Sequence, residues 1–247
     1  MTLAGFVRTC LLAGAIVLPG SAARVGPTAT ADDILARSKA TYAALKSYAD
    51  SGTVQLEFGP AGNVVRERHS FRTYYRSPRL FFFDFTKERN IDRFVVWSDE
   101  QAFHTWWKAT GVAQDYGKGQ GTTAFAMGAS PTKSSLTQIA PLLFPNAGLA
   151  GTLTEFGDAT DVGTEKVDGR TCYKLTGMAK SVYPVTHREV NIRRTTVWID
   201  SATLLVRRVV EEPKSTLPGS VDRTTTSFSP HANPALTDAD FRFTPPQ

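Results

Sequence analysis

Cysteine is nearly missing: the 247 residues contain two, Cys10 and Cys172. A cysteine that is lipidated at a cleavage site follows an apolar run, whereas Cys10 precedes the run Leu11 to Leu18. Cys10 therefore falls in a segment expected to be discarded, which leaves Cys172 without an intramolecular disulfide partner. Stability has to come from a core. Histidine is equally sparse, and His69, His104, His187 and His231 share no zinc-type spacing with one another, with cysteine or with acids. Nor does the chain carry a G-x-S-x-G elbow, a phosphate loop or a dinucleotide fingerprint. Ser130-Pro131-Thr132-Lys133 matches S-x-x-K but lacks the S-D-N and K-T-G companions that give the pattern meaning. Asp84, Asp92, Asp99 and Asp115 are scattered over strand ends and turns, where solvated turn carboxylates are common. These absences argue against an enzyme, and no metal or cofactor is expected.

Long apolar runs are also missing. The longest, Leu11 to Leu18, falls far short of the roughly 20 residues that span a bilayer. With Arg8 before it and Pro19-Gly20-Ser21-Ala22-Ala23 after it, it reads as the apolar centre of a secretory signal peptide over residues 1–23. The mature chain, residues 24–247, is then exported to the periplasm as one domain with no transmembrane segment. Its composition, 41% hydrophobic and 21% charged, fits a globular protein with a sizeable core. A net charge of +5 is mild. Arg66, Arg68, Arg72, Arg76 and Arg79 cluster, as do Arg188, Arg193 and Arg194. No nucleic acid is expected for an exported chain, so these clusters serve either an anionic surface or a solvated strand face.

What the chain has in abundance is aromatic side chains between Phe71 and Trp107. Leu80-Phe81-Phe82-Phe83-Asp84-Phe85 is too short for a helix and too aromatic for a loop. As a strand it places Phe81, Phe83 and Phe85 on one face and Leu80, Phe82 and Asp84 on the other, which the charge marks as the solvent side. Three phenylalanines on one face need a cover: a helix, a second sheet or a ligand.

Around that strand the spacing predicts a helix over Thr30 to Lys46, then a β-meander through Trp107. A glycine-rich crossing segment from Thr110 to Gly151 carries a short apolar helix near Ser135 to Phe144, either a lid or a plug. Strands resume at Thr152 to Phe156, and Asp168-Gly169 marks a hairpin. About ten strands and two main helices are expected in one domain. The class is α+β, mainly antiparallel β.

Four stretches of this chain resemble the periplasmic outer-membrane lipoprotein carriers, the LolA-like superfamily, and more closely an uncharacterised family of predicted periplasmic proteins related to them. They are ILARSKATYAALKSY, YYRSPRLFFFDF, VVWSDEQAFHTWW, and the pair TTVWIDSATLLVRRVV and NPALTDADFRF. The resemblance implies an unclosed half-barrel with helices over its concave side, holding an acyl chain, lipid or lipoprotein. It implies a lid contact for Arg76 and Arg79, which flank Pro78. Phe81, Phe83, Phe85, Trp97, Trp107, Leu142 and Phe144 are then the expected ligand-binding residues. The alternative reading is a module in envelope sensing whose partner is an envelope protein.

Overall fold

The computed structural model describes residues 29–88, 92–99, 101–117, 120–182, 189–213 and 218–246. The expected signal peptide and His187 lie outside the described residues. Thr30 opens the first helix, α1 (Ala31–Ala43), by a capping box: its hydroxyl oxygen accepts from the Asp33 N–H at 3.2 Å, and Asp33 accepts from the Thr30 N–H at 3.1 Å. Ile34, Leu35, Ser38 and Tyr42 form the buried face. The chain then enters β1 (Ser47–Pro60), β2 (Val65–Arg76), β3 (Leu80–Lys87), β4 (Arg93–Ser98), β5 (Phe103–Trp107) and β6 (Val112–Tyr116). Each pairs antiparallel with the one before it, as alternating strands joined by short turns do.

Two helices follow, α2 (Gly121–Ala129) and α3 (Leu136–Leu143). The sequence predicted one helix here and missed both β6 and α2. Gly and Thr at the start of GTTAFAMGA are poor helix formers, so the order of α2 comes from tertiary packing of Ala124, Phe125 and Gly128. A side chain at Gly128 would meet the Leu136 side chain at 2.4 Å, so glycine is what lets α2 lie against α3. Leu136, Gln138, Ile139, Ala140, Pro141, Leu142 and Leu143 of α3 are all buried. A helix buried along nearly its whole length is enclosed, and α3 is a plug. Pro141 offers no N–H to the Thr137 carbonyl. Against that carbonyl the chain returns at Gly151, where a Cβ would stand 1.9 Å from the oxygen.

The expected strand at Thr152 to Phe156 is a turn instead, with Leu153 buried, and β7 begins at Phe156. β7 (Phe156–Val167), β8 (Arg170–Val182), β9 (Glu189–Asp200), β10 (Val206–Pro213) and β11 (Ser220–Phe228) complete the main sheet, and β12 (His231–Ala232) adds a short pairing to β1. The Asp168-Gly169 hairpin is present, both residues at positive φ. Strand order is β6-β5-β4-β3-β2-β1-β11-β10-β9-β8-β7, so β6 and β7 are open edges of one antiparallel, unclosed sheet. α1, α2 and α3 pack on one face of it, burying Phe81, Phe83 and Phe85 with Ile34, Leu143 and Leu175. The α+β half-barrel expected from the sequence is the observed fold, with twelve strands and a third helix among the described residues. Among the described residues no helix is long and apolar enough to cross a membrane.

The face of Phe82 and Asp84 is not the solvent side. A C-terminal strap crosses it, so that Phe82, Val95, Trp106 and Phe241 form a second small core. The strap contains a 3-10 turn, Asp238–Phe241. Asp84 is paired in this setting, for Arg72 and Arg93 both donate to it, Arg93 at 2.7 and 2.8 Å.

Candidate functional site

Five rings converge where α2 and the end of α3 reach the sheet: Tyr75 from β2, Phe81 from β3, Phe103 from β5, Phe125 from α2, and Phe144 just after α3. Phe125 lies 5.2 Å from Phe81, 5.5 Å from Phe103 and 6.0 Å from Phe144. Phe144 in turn lies 5.1 Å from Tyr75 and 5.7 Å from Phe81. All five contacts are tilted or edge-to-face, the arrangement that ring quadrupoles favour.

Beside this cluster is a cavity of about 800 Å³. Tyr75, Phe103, Leu143 and Phe144 bound it, with the turn Ser77-Pro78-Arg79 across from them. Its size lies in the range of sites that take small organic ligands, roughly 300–1,000 Å³. A second cavity, of about 510 Å³, lies between α2, α3 and strands β8 to β10, and Thr122 of α2 borders both. The two are separated by α2.

The structure distributes the expected ligand-binding residues unevenly. Phe144 edges the larger cavity and Arg79 stands at its rim, while Phe81 sits one ring behind Phe144. Phe83 stacks on Phe71 at 5.7 Å, Phe85 packs on His69 at 5.4 Å, and Leu142 is buried in the same core; none of these three borders either cavity. Trp107 is half-buried against Phe94, its indole N–H donating to both Asp92 oxygens at 2.8 and 2.9 Å. Burial works against ionisation of Asp92, but the Trp107 and Lys87 donors outweigh it and hold the carboxyl below its usual range.

Two placements correct the sequence grouping. Trp97 pairs with Phe82 and packs on Phe243, so it belongs to the strap face and not to that of Phe81. Arg76 is also committed to the strap. It donates to the Leu236 carbonyl at 3.2 Å and to the Asp238 carboxylate, and its guanidinium lies 5.3 Å from the Phe241 ring. The reason is one of parity: Arg76 pairs with Leu80, two residues from Phe82, and therefore points away from the helices.

Sequence reasoning missed Tyr75, Phe103 and Phe125. Tyr75 was within reach, since alternation along β2 puts Phe71, Thr73 and Tyr75 on the face of Phe81. Phe125 was hidden by the glycines and threonines around it. His69 is a further buried group on this face. Its pKa is lowered by burial, which Glu67 opposes; Nε2 lies 3.3 Å from the Glu67 carboxylate but is not aligned for a hydrogen bond.

A family model described as LppX_LprAFG lipoprotein matches residues 127–228, from the end of α2 through β11. No curated protein matches the sequence. Among solved structures, the Mycobacterium tuberculosis lipoprotein LppX is similar at 14% identity and a TM-score of 0.43, over 84% of this chain and 99% of that one. A LolA superfamily protein from Nitrosomonas europaea is similar at 10% identity and a TM-score of 0.35, over 87% and 99%. The Pseudomonas aeruginosa MucA/MucB complex is similar at 15% identity and a TM-score of 0.36, over 86% and 60%. The family match and the open, helix-filled sheet together bear out the resemblance to the LolA-like superfamily.

Proposed function

We propose that this chain is an exported envelope protein that binds or carries an apolar ligand, an acyl chain, lipid or lipoprotein, at the mouth of its half-barrel. The observation that carries this reading is the cavity of about 800 Å³ edged by Tyr75, Phe103, Leu143 and Phe144. Apolar walls of that extent gain from any chain that displaces water. Burying about fifteen methylenes, the length of a common acyl chain, gains roughly 12 kcal/mol at about 0.8 each, and a loss of about 4 kcal/mol for association leaves roughly 8 kcal/mol, which corresponds to micromolar binding without a polar motif. The superfamily resemblance and the lipoprotein family match point the same way. In this reading Phe144 and Phe81 meet the ligand and Arg79 guards the rim. Phe83, Phe85 and Leu142 meet it only when the α3 plug is displaced. Residues 1–23 are removed on export to the periplasm, and residues 24–247 act as one domain.

Native mass spectrometry of the protein recovered from its own periplasm tests this. A mature chain starting after Ala23 that carries a lipid-sized adduct supports the reading. A bare chain, or one with a stoichiometric protein partner and no lipid, overturns it, and the second outcome favours a sensing module.

A further inference from the structure

The second cavity differs from the mouth in chemistry. Glu211 of β10 lines it although the residue is only 3% exposed. Its carboxylate is held in place by two donors, Gln138 Nε2 at 2.8 Å to one oxygen and the Thr152 hydroxyl at 3.0 Å to the other. Neither donor is charged. A carboxylate accepts about four hydrogen bonds, so half of its capacity is unused, and a buried anion without a cation is costly. Gln138 adds a second sign of an absent partner, for its buried Oε1 has none among the described residues.

Arg193 of β9 lines the same cavity. Thr195, two residues on, is the cross-strand partner of Glu211, so Arg193 and Glu211 share a face as diagonal neighbours, about 7–8 Å apart. Among the described residues neither forms an ion pair. The rest of the lining is mixed: Phe125, Ala126, Leu149 and Ala179 make an apolar side, and Thr122, Ser134, Thr137 and Glu155 a polar one. An anion and a cation that both face a cavity, and do not satisfy each other, are complementary to a group carrying both charges at a similar separation. The apolar wall on one side calls for a chain attached to that group.

We propose that this cavity is a head-group site for a zwitterionic aminophospholipid, the ammonium at Glu211 and the phosphate at Arg193. The proposal rests on the apolar-ligand reading above and names the ligand class. Thr122, at the start of α2, borders both cavities, so in this proposal the lipid runs past that end of the helix from the head-group site to the mouth.

Calorimetric titration of the full chain separates the two ideas. Dihexanoyl phosphatidylethanolamine is expected to bind at least tenfold more tightly than dihexanoyl phosphatidylglycerol. Glu211→Gln should bring that ratio below threefold, because the ammonium is what the two lipids do not share, whereas Arg193→Gln should weaken both lipids at least tenfold, because the phosphate is common to them. Arg193→Gln carries the test should loss of the buried carboxylate impair folding. Glycerophosphoethanolamine, which has the head and no chains, should bind at least 100-fold more weakly than the lipid; equal binding overturns the lipid assignment. Equal binding of the two lipids, a preference that survives Glu211→Gln, or undiminished affinity of Arg193→Gln for both lipids overturns the head-group site alone. Binding of neither lipid overturns the apolar-ligand reading with it.

Discussion

Phe83 and Phe144 look onto the same side of one sheet, and their surroundings differ. Phe83 is enclosed by Phe71 and its neighbours, whereas Phe144 has rings on one side and a cavity of about 800 Å³ on the other. The difference is made by the helices. α3 is buried along its length over the middle of the sheet, and the room appears where α3 ends and the chain turns away through Pro145-Asn146-Ala147. Aromatic density therefore does not mark a binding site in this fold. The room for a ligand is where a covering helix stops short.

The largest effect should come from the packed region. Phe83→Ala is expected to cost about 3–5 kcal/mol of unfolding free energy, measured by urea titration, because both burial and packing are lost. Uptake of a fluorescent fatty-acid probe by the folded fraction should stay within about threefold of wild type. A small stability loss with a large loss of uptake would reverse the comparison. Gly151→Ala should follow, at about 1–3 kcal/mol, since its Cβ would overlap the Thr137 carbonyl where the chain returns against the plug. Phe144→Ala should cost about 1–2 kcal/mol, less than Phe83→Ala because part of its ring already lacks a protein partner.

Solution pH sharpens the comparison because it acts on the packed region. Burial pushes the Asp50 carboxyl up to about 7, against the Ser229 N–H at 2.8 Å and the Tyr48 hydroxyl at 3.0 Å, which favour its ionised form. The folded state thus binds this proton more tightly than the unfolded chain does. Its contribution is complete below pH about 4 and is lost as pH rises through about 7. Asp92 and Asp200 have lowered values and act with the opposite sign, losing their contributions only below that window. His69, whose pKa is lowered, acts in the opposite direction within the same window, so the test is a difference: from pH 4 to 7 wild type should lose stability relative to Asp50→Asn in thermal unfolding. Replacement of His104 or His231 should have the smallest effect of all, with probe affinity within a few-fold of wild type.

Much of the sheet was legible because alternation and turns are local. Thr53 to Phe58, the aromatic run of β3 and the Asp168-Gly169 hairpin follow from period and turn chemistry alone. The covers were not legible, for they depend on distant residues. No local signal puts Phe241 over Phe82, or brings Phe125 out of a glycine-rich stretch to meet Phe81 and Phe144. Of the residues around the two cavities, Phe144 was singled out by pattern and Arg79 by the family resemblance, while Tyr75, Phe103 and the pair Glu211 and Arg193 emerge only once the strands are in register.

The most direct measurement is equilibrium uptake of the fluorescent fatty-acid probe by wild type, Phe83→Ala and Phe144→Asp, each checked for folding by circular dichroism. Micromolar binding by wild type, little change in Phe83→Ala and at least a tenfold loss in Phe144→Asp is the result predicted. No uptake by wild type, or undiminished uptake by a folded Phe144→Asp protein, would contradict the claim that the mouth of the half-barrel is the binding site.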